Sequence, residues 1–285
     1  MKDSQRPFKQ VDVFTANPFR GNPVAVILDG NGLSTGEMQA ISNWTNLSET
    51  TFVCVPGDPR ADYRLRIFTP KSEIPFAGHP TLGSAWALLE SGMIPKTPGR
   101  LVQECGKGLV DITISGQKLF FELPEPLISE QDEIQIEAVA SALKLERGEI
   151  ISGSAVDVGP VWLTLQLASA IKVTALKPDM NLISRMEGIT GITVFGPIDE
   201  NSIEVRSFAP AFGVPEDPVC GSGNGAAAAL IRLHTLLPSP YAAFQGRCLG
   251  RDGRIEVEYG KESIRVGGNA VTCIEGRINV SGKRP

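Results

Sequence analysis

The chain states part of itself twice, and that constrains it more than anything else in the sequence. The segment RLRIFTPKSEIPFAGHPTLGSAWALL begins at Arg64, and IEVRSFAPAFGVPEDPVCGSGNGAAAALI begins at Ile203. Arg66, Phe68, Pro70 and Pro75 return as Arg206, Phe208, Pro210 and Pro215, at one constant offset close to half of the 285 residues. Ile74 is matched by Val214. Beyond the proline the second copy is longer, so that Gly78 corresponds to Gly221. A period of this length marks a duplicated folding unit. Two domains are therefore expected, residues 1–126 and 127–285, with the last strand able to pack back on the first. The boundary is placed at PEPLISEQD, where two prolines and a run of acids read as a linker.

Each copy describes the same local structure. An alternating strand, RLRIF or EVRSF, meets a proline-rich turn and then a glycine-rich entry to a helix. The helices after Gly78 and Gly221 are apolar around most of their circumference, which predicts that both are buried. Short β segments surround them: FKQVDVF, PVAVIL, TTFVCV, LVDITI and KLFFEL in the first half, VWLTLQL, ITVFG, IEVEY and SIRVGG in the second. Surface helices are expected near Thr35–Asn46 and Glu130–Leu145. The fold class is α/β (α+β): two pseudo-equivalent halves, each a curved, mainly antiparallel sheet around one central helix.

Charge and composition exclude several classes of function. A formal charge of −5 gives no general attraction for nucleic acid or anionic membrane. The longest apolar runs, PVAVIL and AAAALI, are too short to span a bilayer. The start MKDSQRPFKQ has no apolar stretch behind its basic residues, so a cytoplasmic protein is expected. Five cysteines, widely spaced and without CxxC, argue against a disulfide framework or a structural zinc site. With only His79 and His234 as histidines, no metal is expected.

The chemistry concentrates where the two buried helices begin. A helix N-terminus offers unpaired N–H donors and a partial positive charge, and two such tips facing one cleft would suit a carboxylate. The glycines there, Gly78, Gly221 and Gly223, either bring backbone amides to a ligand through φ > 0 or allow close packing of helix on sheet. His79 either bonds a ligand or caps its own turn. Asp217 and Ser222 flank the second tip, and Glu49 in NLSETTFVCV lies between a predicted helix and a strand. Cys220 offers another chemistry, because a thiol at a helix N-terminus has a lowered pKa. Two-base racemisation needs a second thiol, and the matching position in the first half is Ala77. GSGNG is neither a Walker loop nor a dinucleotide fingerprint, since each needs a context absent here.

The stretches VDVFTANPFRGNPVAV, NLSETTF, IPFAGHPTLG and GVPEDPVCGSGNG closely resemble, in order and over most of the chain, the phenazine-biosynthesis isomerase (PhzF-like) family. The resemblance implies a diaminopimelate epimerase-like fold with the active site between its two halves, a homodimer, and no cofactor. It implies that Glu49 is the acid/base that moves a proton on one face of a small cyclic acid, in the phenazine enzyme a dihydro-hydroxyanthranilate. His79 and Asp217 would support the transfer, and Gly78, Gly221, Ser222 and Gly223 would bind the substrate. The chain departs from the phenazine enzyme at Cys220, where that enzyme has threonine, and at Asn224. The resemblance therefore points to the reaction class ahead of the pathway. Two rival readings follow from the residues: an amino- or imino-acid racemase using Cys220, and a non-catalytic interaction protein on the same fold.

Overall fold

Every alternating segment singled out above forms a strand. The structure, a computed structural model, describes residues 5–130 and 133–280. Contacts divide the chain into two units, Met1–Phe121 with Gly268–Pro285, and Glu122–Gly267. The division falls between Phe121 and Glu122, and the chain from Gly268 belongs with the first unit.

In the first unit β1 (Gln5–Val13) pairs antiparallel with β2 (Asn22–Ile27), and α1 (Thr35–Thr45) crosses to β3 (Thr50–Cys54), parallel to β2. β4 (Tyr63–Phe68) returns antiparallel to β3. The other edge of β4 is shared by the short antiparallel β5 (Glu73–Ile74) and by the parallel β6 (Arg100–Cys105), with α2 (Gly78–Glu90) lying between them in sequence. β7 (Gly108–Ser115) and β8 (Lys118–Glu122) follow as an antiparallel meander.

The second unit opens with β9 (Leu127–Glu130) and α3 (Glu133–Leu143), then β10 (Ile150–Asp157) and β11 (Val161–Leu167). Next come α4 (Ala170–Ala175), α5 (Met180–Ile183), β12 (Gly191–Asp199), β13 (Ser202–Ala209) and β14 (Val214–Asp217). It finishes with α6 (Gly221–His234), β15 (Tyr241–Gln245), β16 (Gly253–Tyr259) and the start of β17 (Ile264–Asn279). Strand senses repeat in order. β11 and β12 are parallel, as are β13 and β15, while the β10–β11, β12–β13, β13–β14 and β15–β16 pairs are antiparallel. Strands β1 to β7 thus correspond one by one to β10 to β16. The later part of β17, Ala270–Asn279, pairs antiparallel with β1, as β9 does with β10.

Register corrects one detail of the repeat. Phe68 stands opposite Thr50 and Phe208 opposite Ile192, so the two phenylalanines are equivalent. On the other edge Ile67 faces Ile74, but the residue equivalent to Ile67, Ser207, faces Asp217 rather than Val214. The additional residues of the second copy therefore lie before Glu216, in the turn and at the start of β14. The turn is tight, over Pro210–Phe212, and is closed by Gly213 at φ 85°. Glu73 corresponds to Glu216, Ile74 to Asp217, and Pro75 to Pro218 in place of Pro215.

The sequence also missed strands. PEPLISEQD is not a free linker, because Leu127–Glu130 form β9 against β10; Gln131 and Asp132 lie outside the described residues. The second surface helix is described as Glu133–Leu143, so residues 131 and 132 of the expected range are not covered. β6, β10 and β15 were not anticipated: charge interrupts the apolar pattern of β6, glycine and serine that of β10, and β15 (YAAFQ) is short and alanine-rich.

Both central helices are buried. In α2 every residue from His79 to Ala85 is buried, and in α6 every residue from Gly223 to Ile231. α2 packs on β1, β2 and β3, and α6 on β10, β11, β12 and β16. The approach is close: a Cβ at Gly83 would lie 2.4 Å from Val24 Cγ1 and 2.9 Å from Val13 Cγ2. α1 packs against β3 and β4, where Met38 joins a cluster with Ile27, Phe52 and Phe68. No helix among the described residues is long and apolar enough to cross a membrane.

The repeat carries one ion pair twice, in two environments. Arg66 and Glu73 pair at 2.6 Å with side chains 19% and 38% exposed. Arg206 and Glu216 pair at 2.9 Å at 7% and 9%, and Arg206 also donates to the carbonyls of Val173 and Leu176. Removing one partner of a buried pair strands the other charge, whereas an exposed pair contributes little. In urea unfolding, Arg206→Met is expected to cost about 3–5 kcal/mol and Arg66→Met about 1 kcal/mol or less.

Candidate active site

Glu49 occupies a loop that is fixed on both sides. α1 ends at Asn46 in the left-handed conformation, φ 53°. Ser42 Oγ donates to the carbonyls of Phe68 and Thr69 at 3.0 and 3.1 Å, and the hydroxyls of Thr45 and Thr50 meet at 2.7 Å. Two residues past Glu49, Thr51 Oγ1 lies 2.8 Å from Ser84 Oγ on α2, which ties strand to helix. The first turn of α2 is held from the other direction. Gln103 Nε2 donates to Thr81 Oγ1 at 3.0 Å, while Gln103 Oε1 accepts from the Tyr63 hydroxyl at 2.9 Å. These ties bring His79 Nε2 to 3.3 Å from Glu49 Oε2, with side chains 7% and 16% exposed.

Burial dominates the electrostatics of Glu49. Loss of hydration raises its carboxyl from 4.5 to about 7, against a smaller lowering by a hydrogen bond with Ser48. The folded chain therefore binds this proton more tightly than the unfolded chain does. Below pH 4.5 both states are protonated and stability is unaffected. Between 4.5 and 7 the unfolded chain ionises first and stability falls, and above 7 the full cost, at most about 3 kcal/mol, is present. Glu49→Gln is accordingly expected to raise the thermal midpoint at pH 8 and to leave it unchanged near pH 4. A midpoint shift independent of pH would contradict this.

The second cluster gathers Asp217, Cys220 and Ser222. Asp217 Oδ1 accepts from Val219 N at 3.0 Å. Gln245, 1% exposed, donates through Nε2 to the Asp217 carbonyl at 2.9 Å. Its Oε1 accepts from Cys220 N at 3.1 Å and from Asn224 Nδ2 at 2.7 Å. Cys220 is the N-cap of α6: its Sγ accepts from Gly223 N at 3.3 Å and lies 3.6 Å from Ser222 Oγ. Ser222 Oγ in turn accepts from Trp162 Nε1 at 3.1 Å.

Two expectations are corrected here. The Cys220 thiol is not activated by its helix tip. Burial, with the neighbouring Asp217 charge second, pushes it well above the ordinary thiol range, since desolvation of a thiolate outweighs the partial charge of the helix. The glycines do not use positive φ either, because Gly78, Gly221 and Gly223 are absent from the described residues in that region. Packing accounts for two of them. A Cβ at Gly78 would lie 2.6 Å from Phe121 Cζ, and one at Gly223 2.4 Å from Ser207 Oγ.

Sequence reasoning passed over Thr51, Ser84, Gln103, Gln245 and Trp162. The two glutamines carried a usable signal, each an uncharged polar residue at an inward position of an alternating strand. Trp162 carried none, because an aromatic residue in VWLTLQL reads as core. Among the described residues no group of three or more His, Cys, Asp or Glu side chains could hold a metal ion.

Comparison with known proteins agrees with this architecture. Residues 11–276 match the PhzC-PhzF family, described as phenazine biosynthesis-like protein. Antisense-enhancing sequence 1 of Schizosaccharomyces pombe is 42% identical over 96% of this chain and 99% of that protein. The uncharacterized isomerase YddE of Escherichia coli K12 is 31% identical over 92% of this chain and 94% of its own length. Among solved structures, the phenazine biosynthesis protein of the PhzF family from Bacillus anthracis superposes with TM-score 0.87 at 25% identity, covering 98% of this chain and 99% of that one. A hydroxyproline epimerase from Agrobacterium vitis shares the fold, with TM-score 0.64 at 14% identity over 97% of this chain and 91% of that one. The chain belongs to the phenazine biosynthesis-like family, has the diaminopimelate epimerase-like fold, and is an isomerase of that family.

Proposed function

We propose that this isomerase moves a proton within a small cyclic or unsaturated carboxylic acid, with Glu49 removing and returning it on a single face. The observation that carries the reading is Glu49 itself: a buried carboxyl raised to about 7 and held 3.3 Å from His79 Nε2. A group that must accept and then release a proton works best with its pKa near the operating pH. His79 holds the carboxyl in place and supports the transfer. Asp217, Ser222 and the helix-tip residues Gly78 and Gly221 hold the substrate and its developing negative charge. Gly223 contributes by close packing, its N–H being taken by Cys220 Sγ. No cofactor or metal takes part in the step, and the protein acts as a homodimer in the cytoplasm.

Broken repeat symmetry supports a single base. Glu49 precedes Thr50, whose equivalent is Ile192, so the position matching Glu49 is Gly191. The position matching Cys220 is Ala77, and the thiol is raised where a racemase would need it lowered. Neither unit thus supplies an obvious partner for two-face chemistry.

The dihydro-hydroxyanthranilate of phenazine synthesis and simpler cyclic acids, offered in D₂O, test the reading by mass spectrometry. Glu49→Gln should lower isomerisation and deuterium incorporation by about 10²–10⁴-fold, the usual contribution of general acid–base catalysis. Cys220→Ala should stay within about tenfold of the parent. Near-normal turnover in a folded Glu49→Gln protein sinks the assignment, and loss confined to Cys220→Ala would favour the racemase.

A further inference from the structure

The second unit has filled the space where the first keeps its acid. Gly191 matches Glu49, and Ser222, next to the opening residue Gly221, matches His79. No side chain fits at 191: an added Cβ would lie 2.1 Å from the Phe208 carbonyl oxygen and 3.0 Å from Trp162 Cζ3. Trp162 immediately precedes Leu163, which pairs with Ile192, just as Val24 precedes Ala25, which pairs with Thr50. An indole thus replaces a valine beside the helix tip. Trp162 is 3% exposed, and its Nε1 donates to Ser222 Oγ at 3.1 Å.

Indole nitrogen is a donor only, so the Ser222 oxygen must accept and its own proton must point elsewhere. Among the described residues of the unit, the acceptor within reach of that proton is the weak and distant Cys220 Sγ at 3.6 Å. We infer that Trp162 is a positioning residue of the site, making the Ser222 hydroxyl an oriented donor to an anionic substrate oxygen. The inference rests on the function proposed above and deepens it. The class of group bound at this tip is a carboxylate or enolate oxygen that accepts a hydrogen bond. A ligand lacking this oxygen leaves the oriented hydroxyl unsatisfied.

A binding experiment separates this inference from the role of Glu49. The probe is 1-cyclohexenecarboxylate, a cyclic unsaturated acid transparent where indole absorbs, titrated by tryptophan emission and by thermal midpoint. Of the three tryptophans, Trp44 is 80% exposed and gives a solvent-like background. The probe should shift the emission of the wild-type protein and of Glu49→Gln. Trp162→Phe, which keeps the packing and removes the donor, should weaken binding about five- to tenfold. Ser222→Ala should weaken it equally and move the Trp162 emission to shorter wavelength. The double variant should bind no worse than either single one, as coupled groups do. Should Trp162→Phe fail to fold, Ser222→Ala still carries the test through the emission shift and the affinity loss. Wild-type affinity in Trp162→Phe, or losses that add in the double variant, would overturn the inference and leave the Glu49 reading standing. No binding to the wild-type protein would overturn both.

Discussion

Each central helix lies so near its sheet that a methyl group has no room at the points of closest approach. Gly83 meets Val24 and Val13, Gly225 would bring a Cβ to 2.5 Å from Leu123 Cδ1, and Gly223 is hemmed in by Ser207 and Thr193. Interiors packed this tightly transmit position without slack. The helix tips are therefore fixed in height and rotation against the strands beside them. Hydroxyl and amide ties, Thr51 to Ser84 and Gln245 to the Asp217–Asn224 turn, complete the restraint. A carboxylate and an imidazole can then stay within a few tenths of an ångström of contact although neither sits inside regular strand structure.

One frame built twice does not give one chemistry twice. At matched positions stand Glu49 and Gly191, His79 and Ser222, Ala77 and Cys220, Ile74 and Asp217, Val24 and Trp162. The first unit holds the titratable pair. The second has replaced it with a hydroxyl bonded to an indole and an aspartate at a strand end. A second base would need a side chain at the position that matches Glu49. Here, the bulk of Trp162 and the backbone of Phe208 stand where a second carboxylate would begin. The asymmetry is steric before it is chemical.

Burial acts on Glu49 and Cys220 by the same physics with opposite consequences. Desolvation penalises the charged form of each. For a carboxyl starting at 4.5 the rise ends near neutrality, where both protonation states are accessible. For a thiol that already titrates above neutrality, the same rise, reinforced by Asp217, removes the thiolate. At Cys220 the burial of the thiolate and the Asp217 charge act against whatever the helix N-terminus contributes.

The duplication, eleven of the strands, the two buried helices and the family were legible in the residues. All of them rest on local periodicity or on short-range order along the chain. Legible too were Glu49, His79, Asp217 and Ser222 as residues to watch, through their motifs. The register of the repeat was not. Pro75 has two prolines it could match, Pro215 and Pro218, and only hydrogen bonding of β14 to β13 chooses between them. β9 was hidden inside an apparent linker because its partner, β10, follows only after α3. The direction of the Cys220 shift, the steric closure at Gly191 and the bond from Trp162 to Ser222 all depend on what lies opposite in space. The order of residues determined which elements form and which side chains could react. Tertiary packing decided which of them lose water and which meet, since desolvation and contact are properties of the folded chain's neighbours in space.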